Sequence, residues 1–576
     1  MEKTMDRRDF LLGMGAGGLA MAGAGLLGGC AAPAPEGAAQ AKAAPDEGGA
    51  SDGAPKGIAS TAPIEPVGVP QAWDKEADVV VVGMGGGGLN AASRARQLGL
   101  SVIIIDKLAR PGGNSQSATM FTIGGGTPEQ DAVGFATPSF PYEVDKWVDH
   151  MMTGLGQGGN PEMLRLIGEN MPKCFSWMTE TYGLEWTMGP NASYFFVQQD
   201  GMTKIIDAAS SYAQGEGAEF IQSCEAQALV MDGDRVVGVK AKQGDGSEIF
   251  LHGSKAVLLT GGGFAANKDL LAEHCPSALE RAKACYLANT DTGECFRMGL
   301  GAGADIVNRN CYTMFDGGMD WEGHGGEWCH YLFDGATQLV RQPWLAIKKD
   351  GSRIRYIDIM ESMGALTDLA AVQSASPGGE SYVVFDGRWD DYLKGVENYM
   401  SGFCQYECRM PVQDGMYKQA DIPEYYQDYH QGVQDAIDVG VICECDTLEE
   451  LARELGLDEE VLGASVEKWN DMVASGKDDF VYPYKEQWLH PISEPPFYGA
   501  KLGGFLFMTQ TGLLVNTKMQ VVSSTGAVIP GLYAGWHTAG GAGAPDTVTS
   551  MTFDTGGVSK SYLGGYLAAG FIAEEE

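Results

Sequence analysis

The chain of 576 residues is long enough for two or three domains with a large apolar core. Asp and Glu number 76 against 39 for Lys and Arg, which gives a formal net charge of −37. This charge argues against a nucleic-acid partner, because it would repel the phosphate backbone.

The first 30 residues have the pattern of an export signal. Residues 7–9 read Arg-Arg-Asp, a twin-arginine signature, and a weakly apolar stretch rich in Gly and Ala follows. Residues 27–30 read Leu-Gly-Gly-Cys and resemble a lipobox, which predicts a lipid on Cys30; the alternative is a signal peptide with an incidental cysteine. Residues 31–70 predict a flexible tether, since they are rich in Ala, Pro, Gly and Ser. We expect export by the twin-arginine route to the outer face of the cytoplasmic membrane, with membrane contact only through the lipid.

Twelve cysteines are many for an exported protein. The sequence has no C-x-x-C-H, so it predicts no c-type haem on this chain. Cys404 with Cys408, and Cys443 with Cys445, are the closely spaced pairs, and a metal or iron–sulfur site, disulfides and buried structural thiols are the alternatives. Neither spacing matches a standard ligand pattern, which favours structural thiols and predicts no metal site.

Residues 78–106 read as a strand, a glycine-rich turn, a helix and a second strand that ends in an acid. Gly83, Gly85 and Gly88 fit the pattern G-x-G-x-x-G directly after an apolar run. Such glycines permit a tight turn and let backbone N–H groups approach a pyrophosphate at the N-terminus of the helix. Asp106, at the end of the second strand, can accept hydrogen bonds from a ribose diol. The segment therefore predicts a dinucleotide site.

Further patterned segments follow in chain order. Residues 107–115 read KLARPGGNS, and residues 128–214 are predicted to be substantially helical. Residues 219–239 predict a hairpin with its turn at 232–234. Residues 256–263 predict a buried strand that ends in a glycine turn. Residues 289–305 read NTDTGECFRMGLGAGAD, residues 441–458 and 462–470 predict a helix pair, residues 493–498 read SEPPFY, and residues 511–535 read TGLLVNTKMQVVSSTGAVIPGLYAG.

In this order, the segments resemble the flavoprotein family of fumarate reductases and succinate dehydrogenases. The closer branch is the soluble one, with urocanate reductases, 3-ketosteroid dehydrogenases and the cardiac-glycoside reductases of gut bacteria. PGGNS at 111–115 matches the loop that wraps the flavin, and LTGGGFAAN at 259–267 matches ATGGF-x-x-N. Residues 511–535 match G-L-x-V-(N/D)-T…IPGLYA-G, and the resemblance spans about 76–570. The combination is specific to the family, although no single motif is.

The resemblance implies an α/β fold with a Rossmann-type FAD-binding domain and FAD as the cofactor. This domain would be discontinuous, at 71–310 and 495–576, with an inserted α+β capping domain at 311–494. The substrate would lie between the cap and the flavin, where water is excluded. Electrons would come from a separate cytochrome or quinol donor.

The resemblance also assigns cofactor-binding residues in each motif. Gly83, Gly85, Gly86 and Gly88 would hold the pyrophosphate, Asp106 with Lys107 beside it the adenosine ribose, and Gly113, Asn114 and Ser115 the flavin and its phosphates. Ala226 would lie by the adenine, Gly261 and Gly262 under the dinucleotide, and Glu294 stands for the Asp of a TGDG turn. His537 stands where the family has Glu beside the ribityl chain, and Val558 and Ser559 would lie at the pyrimidine end of the flavin. The alternative for His537 is a buried packing residue.

The residues that handle a dicarboxylate in the family have no counterpart in this sequence. In fumarate reductases one arginine donates the proton, and a second arginine with histidines clamps the substrate, since a guanidinium grips a carboxylate through two hydrogen bonds. Here the histidine positions hold Phe507 and Met508, the acid position holds Glu361 or Met363, and no arginine follows Arg453. These changes predict a bulkier, less charged conjugated alkene of steroid, lactone or phenolic type.

The proton donor stays open among several residues. Glu361 is a candidate if burial keeps it protonated, and Tyr356 is another, with Tyr331 behind it. His537 is the third catalytic candidate, and His330 is predicted near the mouth of the site. Each of them is also compatible with a packing or surface role.

Three functions are compatible with these patterns. The leading hypothesis is an exported FAD-dependent ene-reductase that transfers hydride from flavin N5 to a carbon–carbon double bond. The second is the reverse reaction, a dehydrogenase of a ketosteroid-like substrate that passes electrons to quinone. The third is a non-catalytic flavin lipoprotein, which the missing arginines suggest.

Overall fold

The computed structural model describes residues 61–118, 121–132, 142–155, 158–188, 194–197, 201–286, 290–330, 335–342, 344–354, 376–393, 429–476, 489–549 and 557–575. These residues belong to one compact unit, 57–576. The predicted signal, its lipobox and the tether up to residue 60 lie outside the described residues. So do the following residues named above: Cys30, Tyr331, Tyr356, Glu361, Met363, Cys404 and Cys408.

The described part of the chain contains both strands and helices throughout. The strands are β1 (Val67–Gly68), β2 (Lys75–Val82), β3 (Val102–Ile105), β4 (Phe121–Thr122), β5 (Trp186–Met188), β6 (Tyr194–Val197), β7 (Glu219–Ile221), β8 (Cys224–Asp232), β9 (Arg235–Gln243), β10 (Glu248–Leu259), β11 (Ala282–Cys285), β12 (Ile306–Val307), β13 (Tyr312–Met319), β14 (Leu345–Ile347), β15 (Ser381–Phe385), β16 (Ile442–Cys445), β17 (Phe497–Thr509), β18 (Gly512–Leu513), β19 (Gln520–Val522), β20 (Val528–Ala534) and β21 (Val548–Thr549). The α-helices are α1 (Gly86–Gln97), α2 (Pro128–Ala132), α3 (Val144–Gly154), α4 (Pro161–Tyr182), α5 (Gly201–Gly215), α6 (Lys268–His274), α7 (Pro276–Arg281), α8 (Glu294–Gly301), α9 (Gly335–Val340), α10 (Trp389–Leu393), α11 (Tyr429–Asp438), α12 (Leu448–Leu455), α13 (Glu459–Ser475) and α14 (Gly557–Glu574).

A nine-stranded mixed sheet carries the glycine motif. Its order is β1-β8-β9-β10-β2-β3-β7, and β20 pairs with β10 and with β19. β10, β2, β3 and β7 run parallel, and β20 joins β10 in the same direction. The apolar runs at 79–82 and 102–105 are buried throughout, as expected for parallel strands that are covered on both faces. Because β20 comes from the C-terminal part of the chain, the sheet joins two separated stretches of sequence.

The hairpin predicted at 219–239 has one more strand than expected. The sequence predicts a single strand up to residue 231, but Ser223 adopts a positive φ of 49° and breaks it. β7 pairs with β3 on one side of this break, while β8 turns back along β9. A two-residue turn with Gly233 at φ 63° connects β8 to β9, inside the predicted turn.

A second, seven-stranded sheet is organised around the long strand β17. Its order is β14-β15-β17-β13-β21, and β11 and β16 also pair with β17. β13, β14, β15 and β16 lie within the range 311–494 predicted for the cap, whereas β11, β17 and β21 come from the chain on either side of it. β17 therefore pairs strands of the predicted cap with a stretch of chain that lies outside it.

The predicted helix pair is present, and polar caps fix its ends. The Thr447 side chain accepts a hydrogen bond from the backbone N–H of Glu450 at the start of α12, and Gly456 ends that helix in a left-handed conformation. Asp458 caps α13 by accepting from two backbone N–H groups, and Gly476 ends it. The strand β16 precedes the pair, within the segment predicted as the first helix.

Among the described residues, we find no helix with both the length and the apolar character that a membrane span requires.

Candidate cofactor and active site

One cavity opens beside the carboxyl ends of β2, β3 and β10. Eleven of the predicted site residues line it: Gly83, Gly85, Asp106, Lys107, Gly113, Asn114, Ser115, Gly261, Gly262, His537 and Val558. The cavity thus collects residues from segments more than 400 positions apart in the chain.

The glycines of the first motif have distinct structural roles. Gly83 adopts φ 108°, and a Cβ there would stand 2.6 Å from the carbonyl oxygen of Thr260. A Cβ on Gly86 would overlap the ring of Tyr562, and one on Gly88 would overlap the carbonyl oxygen of Gly83. A Cβ on Gly85 would make only ordinary contacts, the nearest at 3.8 Å from the carbonyl oxygen of Gly112. Gly85 therefore leaves the N-terminus of α1 open to a ligand, while Gly86 and Gly88 allow close packing.

Asp106 lies at the end of β3, where it holds the turn in place. Its Oδ2 accepts from the backbone N–H of Met84 at 2.6 Å, and its Oδ1 accepts from that of Leu108 at 2.7 Å. Burial raises the pKa of Asp106, and although these two hydrogen bonds lower it, the pKa lies above its usual value. Each carboxylate oxygen has a second lone pair, which leaves capacity to accept from ribose hydroxyls.

Lys107 joins this region to the start of α8. Its Nζ lies 3.0 Å from both carboxylate oxygens of Glu294 and 2.8 Å from the hydroxyl of Thr292. Burial acts to raise the pKa of Glu294, but Lys107 and the Thr292 hydroxyl outweigh it, and the pKa lies below its usual value. Glu294 does not line the cavity itself; it orients Lys107, which does.

The loop at 113–115 closes over the glycine turn. The hydroxyl of Ser115 accepts from the backbone N–H of Gly86 at 2.9 Å, which leaves its own O–H to donate. Gly113 has φ 48° and lies against the Cα of Gly85. Asn114 lines the cavity between them. These residues therefore form one rim of the cavity around the N-terminus of α1.

His537 and the N-terminus of α14 also line the cavity. His537 Nε2 lies 2.9 Å from the carbonyl oxygen of Gly557. Val558 lines the cavity together with Ser561, three residues later on the same helical face. Ser559 faces the other way: it is fully buried, and its hydroxyl accepts from the backbone N–H of Thr122.

Ala226 also lies outside the cavity lining. It is on β8 opposite Ala241 of β9 and is buried. The structure therefore brings together eleven of the sixteen predicted cofactor residues as lining, and Gly86, Gly88, Ala226, Glu294 and Ser559 are not part of that lining.

An apolar wall forms another part of the cavity. The rings of Tyr286 and Phe507 stack with centroids 5.3 Å apart and planes at 11°, and Phe315 packs on Phe507 at 4.8 Å. Phe507 and Met508 are consecutive, and both line the cavity. Alternation along β17 would place them on opposite faces, but the pairing with β13 shifts register here, so that Phe507 has no partner. This bulge turns both side chains into the cavity.

Several lining residues were not assigned by the sequence analysis. They are Leu108, Ala118, Thr260, Gly263, Tyr286, Thr290, Asp291, Thr509, Gly557 and Ser561. Most flank a recognised motif, which is a usable signal. Tyr286 has no such signal, because its place in the wall depends on how β11 pairs with β17, whereas Asp291 lies within the patterned segment 289–305.

Comparison with known proteins identifies the dinucleotide. Residues 78–543 match the family described as FAD binding domain. The chain belongs to this FAD-binding family. It is 25% identical to the urocanate reductase of Eggerthella lenta over 490 residues, 82% of this chain and 71% of that protein. It is 25% identical to the digoxin reductase of the same species, over 94% of this chain and 92% of that protein.

Solved structures show the same fold. The 3-ketosteroid-Δ4-(5α)-dehydrogenase of Rhodococcus jostii RHA1 superposes with a TM-score of 0.61 at 21% identity, over 89% of this chain and 100% of that chain. The predicted family and the predicted α/β, Rossmann-type fold are therefore confirmed, and FAD is the cofactor. This FAD-binding protein is a fumarate reductase-like oxidoreductase that acts on carbon–carbon double bonds.

The cavity fits FAD. The open face at Gly85 admits a pyrophosphate, Asp106 presents acceptors for ribose hydroxyls, and Gly261 lines the floor. A side chain at Gly261 would collide with the Cys295 thiol beneath it, so the floor can be formed here only by glycine. When bound, FAD supplies the two-electron chemistry of the site.

The other candidates lie elsewhere. The ring of His330 stacks on Trp321 at 4.2 Å, and His330 is not among the residues that line the cavity. Cys443 and Cys445 lie on β16 as reduced thiols, and burial raises the pKa of Cys443 to about 11. Within the part of the chain that the structure describes, no group of three His, Cys, Asp or Glu side chains is arranged to hold a metal ion.

Proposed function

We propose that this protein is an exported FAD-dependent reductase that saturates the double bond of a bulky, conjugated substrate of steroid, lactone or phenolic type. The observation that carries the proposal is the apolar wall of Tyr286, Phe507 and Met508. Flat apolar surfaces gain about 25 cal/mol for each Å² that they bury against such a wall. The relatives named for urocanate and digoxin also act on molecules that are not dicarboxylates.

The charges around the cavity support this substrate class. The charged residues in its described lining are Asp106, Lys107 and Asp291, and Lys107 is bound to Glu294. Arg353 lies against α13, where its Nη1 contacts the sulfur of Met472 at 2.6 Å. A dicarboxylate that entered this cavity would lose its hydration water, and the described lining offers no guanidinium to pair with its charges. Desolvating an unpaired charge is costly.

His537 is the candidate proton carrier within the described residues. Its Nε2 must carry a hydrogen to bond the Gly557 carbonyl, so the neutral ring offers Nδ1 as an acceptor. Donation to a substrate from Nδ1 then requires the doubly protonated ring. We infer that His537 delivers a proton only as an imidazolium, and that Tyr286 and Phe507 orient the substrate and exclude water. Glu361 and Tyr356 stay candidates outside the described residues.

A screen of holoprotein with chemically reduced viologen tests the proposal. Phenolic alkenes, unsaturated lactones, steroid enones and small unsaturated acids are offered in parallel under anaerobic conditions, and consumption of reduced viologen is measured. Turnover of at least one bulky conjugated alkene is expected. If every alkene leaves the viologen reduced, a non-catalytic flavin protein becomes the better account.

We also propose that a separate cytochrome or quinol system supplies the electrons and that a lipid on Cys30 holds the protein at the outer membrane face. The twin-arginine signature and the Leu-Gly-Gly-Cys sequence support the location. Fractionation of cells that carry the wild type or Cys30→Ser tests it: the variant is expected in the soluble exported fraction and the wild type with membranes. A wild type that is wholly soluble would contradict the anchor.

A further inference from the structure

The carboxyl group of Asp291 occupies an unusual place in the cavity wall. It is 3% exposed, and its Oδ2 accepts from the backbone N–H of Ala265 at 2.9 Å. The backbone N–H of Gly263 is a second donor to it. A Cβ on Gly262 would stand 2.7 Å from Oδ1, so the carboxyl packs directly against the glycine turn that would lie beneath the dinucleotide.

No cation is hydrogen-bonded to this carboxyl in the described structure; its direct partners are neutral backbone amides. The charged groups that reach it are Lys107 and Glu294, which are paired with each other. Burial is the largest influence and raises the pKa of Asp291 to about 6. Asp291 therefore changes its charge near neutral pH, unlike an exposed aspartate.

The other titratable groups around the cavity do not compensate for this charge. Asp106 lies across the glycine turn and is itself an acid with a pKa raised by burial. The Cys295 thiol lies beneath Gly261, and burial raises its pKa to about 12, so it is neutral. His537 lines the same cavity, and its Nε2 is bonded to the Gly557 carbonyl and not to Asp291.

FAD brings the negative charges of its pyrophosphate into this same cavity. A like charge disfavours the ionised form of a neighbouring carboxyl and leaves its protonated form almost unaffected. We propose that Asp291 couples cofactor binding to proton uptake, so that FAD and one proton on the Asp291 carboxyl bind together. The proton comes from solvent, and no bond of the cofactor changes.

The sign of the pH dependence follows from this coupling. The holoprotein holds the proton more tightly than the apoprotein, so affinity for FAD is highest below the pKa of the apoprotein. It then falls by up to about tenfold for each pH unit until the pKa of the holoprotein is passed. With Asn at position 291, affinity for FAD loses this dependence.

Calorimetric titration of the deflavinated full-length protein with FAD tests the coupling without any alkene. Titrations at about pH 7 in two buffers of different ionisation enthalpy give the number of protons taken up per FAD. The wild type is expected to take up a measurable fraction of one proton, and Asp291→Asn to take up none. Asp269→Asn, an exposed aspartate on α6 just beyond the glycine turn, is the matched control and should behave as the wild type.

Asp291→Ser is a second variant, in case the amide of Asn does not fit between the two backbone donors. Circular dichroism establishes that each variant is folded before titration. Zero uptake by the wild type, or unchanged uptake by the folded variants, would overturn the proposal. Because FAD binding alone is measured, the result does not depend on whether the protein reduces an alkene.

Discussion

The two ends of the cavity are built on different principles. At the dinucleotide end, the surface is formed mainly by backbone groups. Gly83 and Gly85 form the turn, and Asp106 accepts hydrogen bonds from two backbone N–H groups. At the substrate end, the surface consists of side chains, with Phe507 turned inward by a bulge and stacked on Tyr286. The first end depends on the absence of side chains, and the second on their shape.

This difference separates cofactor recognition from substrate recognition. A cradle formed by backbone groups is lost as a binding site when an added Cβ overlaps the backbone, as it would at Gly83 or Gly88. A side-chain wall can be rebuilt by one substitution while the cradle beside it stays intact. The variants below act on one end and leave the other as an internal reference.

The most damaging expected change is Gly88→Ala, because the new Cβ would overlap the carbonyl oxygen of Gly83. Overpacking lowers the free energy of unfolding by about 1–3 kcal/mol where neighbouring side chains can move. Because the backbone can move less, we expect the free energy of unfolding to fall by at least about 3 kcal/mol and FAD to be lost. Thermal unfolding and flavin content measure both effects. Gly463→Ala in α13 is the control, since its Cβ would meet open space. Its free energy of unfolding should rise by about 0.5–1 kcal/mol. A stable, yellow Gly88→Ala protein would contradict the cradle.

Asp106→Ala should weaken FAD binding without unfolding the protein. It removes the acceptors for the ribose and for the backbone N–H of Met84, and we expect a loss of about 1–3 kcal/mol, on the order of 10- to 100-fold in Kd. Flavin fluorescence on titration measures it. Asp78→Ala is the matched control, because Asp78 bonds the backbone N–H of Ser101 at 2.7 Å at the far end of the same strands. Equal losses in both variants would mean that the effect is structural.

Phe507→Leu should act on the substrate end alone. Loss of the stacked ring is expected to lower kcat/KM for a conjugated aromatic alkene by about 1–1.5 kcal/mol, roughly tenfold, with FAD content unchanged. Phe385→Leu removes another stacked ring of the same sheet, against Tyr498, outside the cavity. That control should lower stability and leave kcat/KM unchanged. If both variants lose activity equally, the wall has no specific role.

The smallest expected effect is that of Glu294→Gln on stability. The folded pKa of Glu294 lies below the ordinary value of 4.5, so its pairing with Lys107 stabilises the protein above that value and is lost as pH falls through the folded pKa. We expect Glu294→Gln to lower the free energy of unfolding by about 1 kcal/mol at neutral pH, and this difference to disappear in acid. Denaturant unfolding of both proteins across this range measures the difference. A cost that does not change with pH would indicate lost packing instead of lost charge.

Much of the cofactor end can be predicted from sequence because its determinants are local. The strand Val102–Ile105 ends directly before Asp106, as predicted, and the turn and α1 follow the glycine spacing. The misses are also physical. Ser559 is the predicted cofactor contact, but the phase of α14 turns Ser559 to Thr122 and places Ser561, which the sequence analysis did not assign, in the cavity lining.

The substrate end is harder to predict, because it depends on register and on contacts between distant strands. Alternation would place Phe507 and Met508 on opposite faces, and only the shifted pairing with β13 brings both into the cavity. Asp291 looks like a turn residue in sequence, and its burial against Gly262 exists only in the fold. The break at Ser223 requires a positive φ at a residue other than glycine, which no local pattern indicates.

The most direct test of the substrate end is the rate at which one preparation of reduced holoprotein is reoxidised by two alkenes, fumarate and a conjugated phenolic, lactone or steroid alkene. Stopped-flow absorbance under anaerobic conditions follows the flavin directly and needs no partner protein. The account predicts reoxidation by the bulky alkene within the range of enzymes, about 1–1000 per second, and by fumarate at least about 100-fold more slowly. Reoxidation by fumarate at an enzymic rate would contradict it.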